Sequence, residues 1–589
     1  MVVTNGSGSV GARKKRGRKA AGRRAAAEAV VTAAAGRERA ASRPRPTHVG
    51  ARAAAARIRR LAAVSETIEV RRRLRGLADQ VGRGPGNVQR LAFLETEIGG
   101  CLDEAAERSG SRDRWLSCEA ATWALGWMAR TKRAGGSAGG LLERLVQQAR
   151  AAQAALTARD TQPARFVLVL ARLFVDLESC RCLEPAALAA VREEIERLVT
   201  AAGAVGLAGS VAVLDRVVRW SGIREAALAT GLPAWDEPTE ALWAAAATAA
   251  LRLLGREGRI LAGSGRLPGC FSAPLLDAFT ARDGGGLPRD AIRAARVVVR
   301  GKARTACPPR DFHDPTAAVA VLRSGWDRDG VRVLLEYREA TPRLEIALDD
   351  RLIVDGSWGW SAVADGRPLD AEGGWTVSAW ESDRKATFLE IVAPLAGGMQ
   401  IERQVVVLPG ERLVLLADAL VPRAGGSATV QDLRYRGTVA LAGSLDCHPE
   451  QETREIVVSD TETRAMVLPL GLNEWRSAGW GGLEAGDAGL ALEQRGGLRL
   501  YAPLWIDCDP RRIGRPRTWR QLTVADTRCN LPPHQAVGFR IQAGQEQWLV
   551  YRSLDLPRNR TLLGCNVSCE FLLGRVKRSG EVARTLEME

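Results

Sequence analysis

From about residue 61 to residue 300 apolar side chains recur every three or four positions, in segments of roughly 12 to 20 residues separated by Gly, Pro or Ser. LLERLVQQARAAQAAL (141–156), PARFVLVLARLFVDLE (163–178), PAALAAVREEIERLVTAAG (185–203) and PTEALWAAAATAALRLLG (238–255) each put one apolar stripe on a helix. Pro185 and Pro238 fall in the first turn, where a missing N–H costs nothing. The pattern predicts about eight to ten helices with no exact short repeat. Near residue 295 the period changes. AARVVVRG, AVAVLRSGW, VRVLLEY, RLEIALDD and RLIVDG are short, rich in Val and Leu and often alternating, the texture of β-strands. IERQVVVLPGERLVLLADAL (401–420) predicts two strands joined at Pro409-Gly410, and similar runs continue to the C-terminus. The expected fold is therefore α+β and multidomain: a helical domain over 61–300, then a large antiparallel β-sandwich over 301–589.

Charge divides the chain differently. The net charge is +16, yet residues 1–60 hold sixteen Lys or Arg against Glu28 and Glu38, so that segment carries +14 and the rest only +2. With almost no large apolar residues, residues 1–60 cannot offset an ordering entropy of about 1–2 kcal/mol per residue, and they read as a disordered basic tail, turning helical near residue 51. Such a tail suits nucleic acid or another polyanion, held with steep salt dependence and no sequence preference. Only seven of the 84 basic residues are Lys and Ala is abundant, so codon bias in a GC-rich genome explains the same composition. The eleven cysteines are scattered in a chain too long to need disulfide staples, which points to reduced thiols. No run of about 18 apolar residues would span a membrane. The N-terminus lacks a secretory pattern, although an Arg-rich, acid-poor segment also suits an organelle transit peptide; the cytoplasm is the expected location.

Candidate chemistry is sparse. The four histidines are His48, His313, His448 and His534, and the four tyrosines are Tyr337, Tyr435, Tyr501 and Tyr551. The helical segment 61–300 contains neither type. His313, between Asp311 and Asp314, reads as an ordinary polar loop rather than a metal site, and neither a metal nor a cofactor is expected. Trp358 and Trp360 are two apart, so on a strand both rings face one side, as sandwich core or as a sugar-stacking platform. Trp115, Trp123 and Trp127 have helical spacing, as a core stripe or a cleft lining. Arg434 and Arg436 lie on the strand face opposite Tyr435, and their forks suit carboxylates or sulfates as well as solvent.

Arg323-Ser324-Gly325-Trp326 beside a strand, the apolar strand at 331–337, the strand-turn-strand ending at Asp355-Gly356, WTVSAWESDR and the 401–420 hairpin together resemble the entry to the sandwich of heparinase II/III-like polysaccharide lyases. The resemblance implies an α/α toroid for the helical half and acidic polysaccharide as the ligand. Family enzymes carry a histidine-bearing loop between the strands matching VRVLLEY and LEIALDD; here the connection is REATP and holds no histidine. A lyase must remove the proton α to a uronate carboxylate, neutralise that carboxylate and protonate the leaving oxygen. The expectation is thus a scaffold that binds acidic polysaccharide without the family's catalyst, using Arg323, Trp326, Trp358, Trp360 and Arg434. The alternative is an active lyase with a rebuilt site in which Tyr337, Arg338 and Tyr435, with Arg434, converge on one cleft; Tyr337 would then need its pKa, ordinarily about 10, lowered.

Overall fold

The computed structural model describes residues 49–589 apart from short internal segments, the longest being 131–136, 267–272, 281–286 and 301–306. The basic stretch 1–48, His48 included, lies outside the described residues. Among those described, twelve α-helices precede residue 301. Five form a ring: Ala51–Val64, Arg112–Met128, Ala164–Leu173, Ser210–Ala229 and Ala273–Thr280, each packed on the next. Arg60, at 3.2 Å from Asp277, ties the last to the first. Burial explains which helices are inside. Arg112–Met128 is buried at every position from Ser117 to Met128, as a helix apolar all round must be. Ile68–Gly82 instead buries one stripe, Val70, Leu74, Leu77, Ala78 and Val81, and sits outside. The first ring helix begins at Ala51, where the sequence predicts the chain to turn helical, and Ala54, Ala55, Ile58, Leu61 and Ala62 share one buried face.

One expected strand is a helix. Its residues 294–300, AARVVVR, belong to helix Arg289–Arg300, where Ala291, Ala294, Ala295 and Val298 are buried at helical spacing. Packing against the ring outweighs the β-preference of three consecutive valines.

The β half is the expected large antiparallel sandwich, extended into a stack of four sheets. A nine-stranded antiparallel sheet, running from Phe312–Asp314 through Val319–Arg323, Val331–Glu336, Arg343–Leu348 and Arg351–Ala364 to Gly482–Gly486, has one face on the helical domain. Its other face meets an eight-stranded sheet that contains Met399–Leu408 and Leu413–Pro422. The far face of that second sheet covers a five-stranded sheet that includes Ala536–Ala543 and Glu546–Ser553. A small four-stranded sheet closes the stack. The 401–420 hairpin forms as expected, with Gly410 at φ +75° in its turn. Its strands are buried on both faces at nearly every position, with Glu402, Arg403, Gln404 and Asp418 as buried polar residues among the apolar ones.

Polar groups at helix ends fix the joint between helical and β halves. The buried Arg323 donates to the carbonyls of Arg252 and Leu254, and Arg332 to that of Leu253, so two guanidiniums cap the C-terminal end of the segment that continues helix Glu237–Ala250. Arg323 and Arg332 are direct cross-strand neighbours, a repulsive pairing tolerated because both charges face carbonyl oxygens. Further along the same strand and on its neighbour the polarity inverts. The Glu336 carboxylate accepts from Gly209 N (2.9 and 3.0 Å) and Glu345 from Ser210 N (3.0 Å), where helix Ser210–Ala229 begins.

Candidate functional site in the inter-domain cleft

Next to this joint lies a cleft of about 600 Å³ between the helical domain and the nine-stranded sheet. Its walls are apolar, with Leu198, Val205 and Val213 on the helical side and Phe312, Val321 and Leu334 on the sheet side. Its charged lining is Arg197, Arg338, Arg343, Glu336 and Glu339. Strand alternation sets this up. In Val331–Glu336 the side chains of Arg332, Leu334 and Glu336 point to the helical domain, while Val333 and Leu335 point into the sandwich. Opposite Glu336, Arg343 lies 3.9 Å from it, 3.3 Å from Glu345 and in contact with Asp355. Burial pushes the Glu336 carboxyl up to about 7; the Gly209 N–H opposes this, Glu345 adds to it and Arg343 opposes it. Gly209 is needed here, because its φ is +82° and a Cβ would sit 3.3 Å from Glu345 Oε1.

The residues expected to act together are dispersed. Arg338 is exposed on the cleft, donating to Thr316 O at 3.1 Å. Tyr337, one residue earlier, points to the other side of the sheet and is buried in the sandwich. Tyr435 is buried there too, donating to Asp418, which pairs with the fully buried Arg403 through two hydrogen bonds of 2.8 Å. Burial and the Asp418 charge raise the Tyr435 phenol well above its ordinary value. Trp358 and Trp360 do face one side, and it is the core side: the Arg403 guanidinium lies 4.0 Å from the Trp358 ring centre. Arg434 is exposed on the opposite face, 3.1 Å from Asp432. Arg323 and Trp326 are buried in the joint, where Trp326 Nε1 donates to Pro308 O at 3.0 Å. Burial, with Arg332 and Arg252 beside it, pulls Arg323 down to about 9. The four members of the rebuilt site therefore do not share a cleft, and of the expected residues only Arg338 faces this one.

An imidazole and a phenol do meet, away from the cleft. His313 is on the edge strand Phe312–Asp314 rather than a loop, and its Nε2 lies 2.8 Å from Tyr337 Oη, with the Trp380 ring 4.8 Å away. His313 pairs with Ala320 and shares its sandwich-facing side, so this trio seals the edge between two sheets. Burial lowers the His313 pKa and, with Asp314 adding, raises Tyr337 to about 12, so both groups are neutral at pH 7. His448 lies on an exposed strand, bonded to Ser459, and His534 precedes Ala536–Ala543. No cluster fit for a metal occurs among the described residues.

A second space of about 240 Å³ lies within the helical ring, lined from all five ring helices and floored by Trp115 stacked on Phe166 at 6.3 Å. Trp123 and Trp127 are core. Its arginines face carboxylates: Arg59 with Asp79, Arg60 with Glu225, Arg112 and Arg219 with Asp215, and Arg165 with Glu119.

Of the charged cleft residues, Arg197, Glu336, Glu339 and Arg343 are not singled out by the sequence. Arg197 ends the solvated side of helix Glu184–Leu198 and carries no distinguishing signal. Glu336 carries no signal of its own in the sequence, although alternation from a known core face would find it.

No protein-family model and no curated protein matches the sequence. Solved structures do. A heparinase III gene product matches at 9% identity over 83% of this chain and 86% of its own, with a TM-score of 0.55. Heparan sulfate lyase HepC from Pedobacter heparinus matches at 11% over 84% of each chain, with a TM-score of 0.52. A further heparinase III matches at 9% over 82% of each, also at 0.52. At such identity the likeness is one of fold: a helical toroid followed by stacked antiparallel sheets, the heparinase-like polysaccharide lyase architecture. No helix among the described residues is long and apolar enough to cross a membrane.

Proposed function

We propose that this chain, folded as heparinase-like polysaccharide lyases are, binds an acidic polysaccharide in the cleft between its helical ring and the nine-stranded sheet. The observation that carries the reading is the convergence of Arg197, Arg338 and Arg343 on one 600 Å³ space with apolar walls. Guanidinium forks match uronate carboxylates and sulfates, the apolar walls suit the C–H faces of sugar rings, and the volume is within the range of ligand sites. Trp358, Trp360, Tyr435, Arg323 and Trp326 serve the protein's own interior, so recognition falls to the arginines. The structures of similar fold include a heparan sulfate lyase, which agrees with an anionic glycan.

The test is calorimetric titration of the full chain with heparan sulfate, chondroitin and alginate oligosaccharides. R197A and R338A are each expected to weaken binding about tenfold at low salt, with less effect as salt screens the contacts. Affinity unchanged in both variants and insensitive to salt would reject the reading.

A further inference from the structure

Two buried guanidiniums meet at the joint between helical and β halves. Arg323 and Arg332 are direct partners across strands Val319–Arg323 and Val331–Glu336, and are only 8% and 4% exposed. Arg323 uses Nε on Gly325 O at 3.1 Å and Nη1 on the carbonyls of Arg252 and Leu254. Arg332 donates from Nη1 to Leu253 O, while its Nε and Nη2 are buried with no hydrogen-bond partner. A charged donor buried and left unmade is among the costliest defects an interior can carry. Both side chains line a small space of about 20 Å³, together with Leu254, Leu261 and Trp326. A space of that size takes one particle about as large as a water and is too small for sulfate, phosphate or a sugar acid.

Charge points the same way. The buried Arg252 adds a third guanidinium, 6.0 Å from the Trp326 ring centre where that of Arg323 is 5.3 Å away. The nearby acids are committed elsewhere. Asp311 pairs with Arg310 at 3.3 Å and Glu345 with Arg343 at 3.3 Å; Asp349, which also lines the space, pairs with Arg412 at 3.7 Å. What the three cations face is the C-terminal end of one helical segment, whose dipole supplies roughly half a negative charge. Burial, with Arg332 and Arg252 beside it, holds Arg323 at about 9, so it stays charged at pH 7 and the excess is not relieved by losing a proton.

We infer that this space is a site for one monatomic anion, chloride or another halide, held between Arg323 and Arg332. The site is separate from the cleft and does not depend on the glycan reading. A halide accepts from Arg332 Nε and Nη2 and supplies a counter-charge to the cluster; a water meets only the first need. The competing arrangement is an Arg332 swung onto the Glu345 carboxylate, whose Oε2 is also buried without a partner. With halide bound, the anion is a structural ligand that ties two strands of the nine-stranded sheet to the helical half, and folding is linked to its concentration.

The test is thermal unfolding of the full chain by circular dichroism, with potassium gluconate exchanged for potassium chloride or bromide at constant ionic strength. The expected result is a Tm that rises with halide and saturates, bromide acting as chloride does. At a halide concentration about 100 times Kd the folding equilibrium constant should be about 100-fold larger than in gluconate. R332M keeps the stem, removes the unpartnered donors and should lose the saturable rise; the wild-type titration needs no variant to fold. Crystals grown in bromide should show an anomalous peak within hydrogen-bond reach of Arg332 Nε or Nη2. A Tm that is the same in gluconate and halide, or a saturable rise that survives in R332M, overturns the inference. So does a water or the Glu345 carboxylate at that position, and so does a bromide peak without linkage in solution, which is binding at crystal concentration only.

Discussion

Replacing Asp418 with Ala should expose how the sandwich interior tolerates a buried charge. Arg403 is entirely buried and Asp418 is 1% exposed, joined by two 2.8 Å hydrogen bonds. Arg403 also donates to Trp358 O at 2.6 Å, while its cation lies 4.0 Å from the Trp358 ring and 5.0 Å from that of Trp375. Tyr435 uses Asp418 as its acceptor. Removing the carboxylate leaves a guanidinium without a counter-charge and a phenol without a partner. The expected loss is about 3–5 kcal/mol, the usual cost of breaking a buried pair from one side. Removing both charges in the double variant R403M/D418L should recover most of it, because two desolvation costs disappear together. Urea unfolding followed by circular dichroism measures all three proteins. A D418A loss below about 1 kcal/mol, or a double variant as damaged as the single, would refute the view that the unpaired charge causes the damage. Glycan affinity should not change in any of them, since the cluster lies in the core and not on a binding face.

Two further outcomes follow from the joint. The Glu336 carboxyl is raised from 4.5 to about 7, so the folded state holds its proton more tightly than the unfolded chain does. Its contribution is full below about pH 4.5 and is lost as pH rises toward 7; the wild type should therefore lose on the order of 2–3 kcal/mol relative to E336Q over that window and stay level above it. A difference between the two that does not vary with pH would exclude this linkage. R323A removes the donor that serves the carbonyls of Arg252 and Leu254 and should cost about 2–4 kcal/mol. Calorimetry should then show helical and β halves melting in separate transitions, and a single unshifted transition would contradict the capping role.

Period and length made the two-part architecture legible before any coordinates. The stripes at 141–156 and 238–255 and the Pro409-Gly410 hairpin fall where the pattern puts them. AARVVVRG misled because three valines state a local preference and say nothing of the ring that buries Ala291, Ala294 and Ala295. The four-layer stack was hidden because a strand buried on both faces reads alike whichever sheets cover it. The cleft was the least legible part. Leu334 and Leu335 are identical side chains on opposite faces of one strand, so nothing in the sequence revealed which face met the helices, and hence whether Glu336 or Tyr337 lined the space. Arg323 and Trp326 resembled recognition residues because guanidinium and indole serve a carbonyl acceptor of the protein as readily as one on a ligand.

The doubly covered eight-stranded sheet limits how this chain can be cut. Phe388, Val406, Leu415, Met466 and Trp505 belong to the core shared with the five-stranded sheet of residues 517–588. A shortened protein ending near residue 510 would present that wall of hydrocarbon to water and invite self-association. The C-terminal layers are thus a lining rather than an appendage, and a soluble fragment containing the cleft has to carry them.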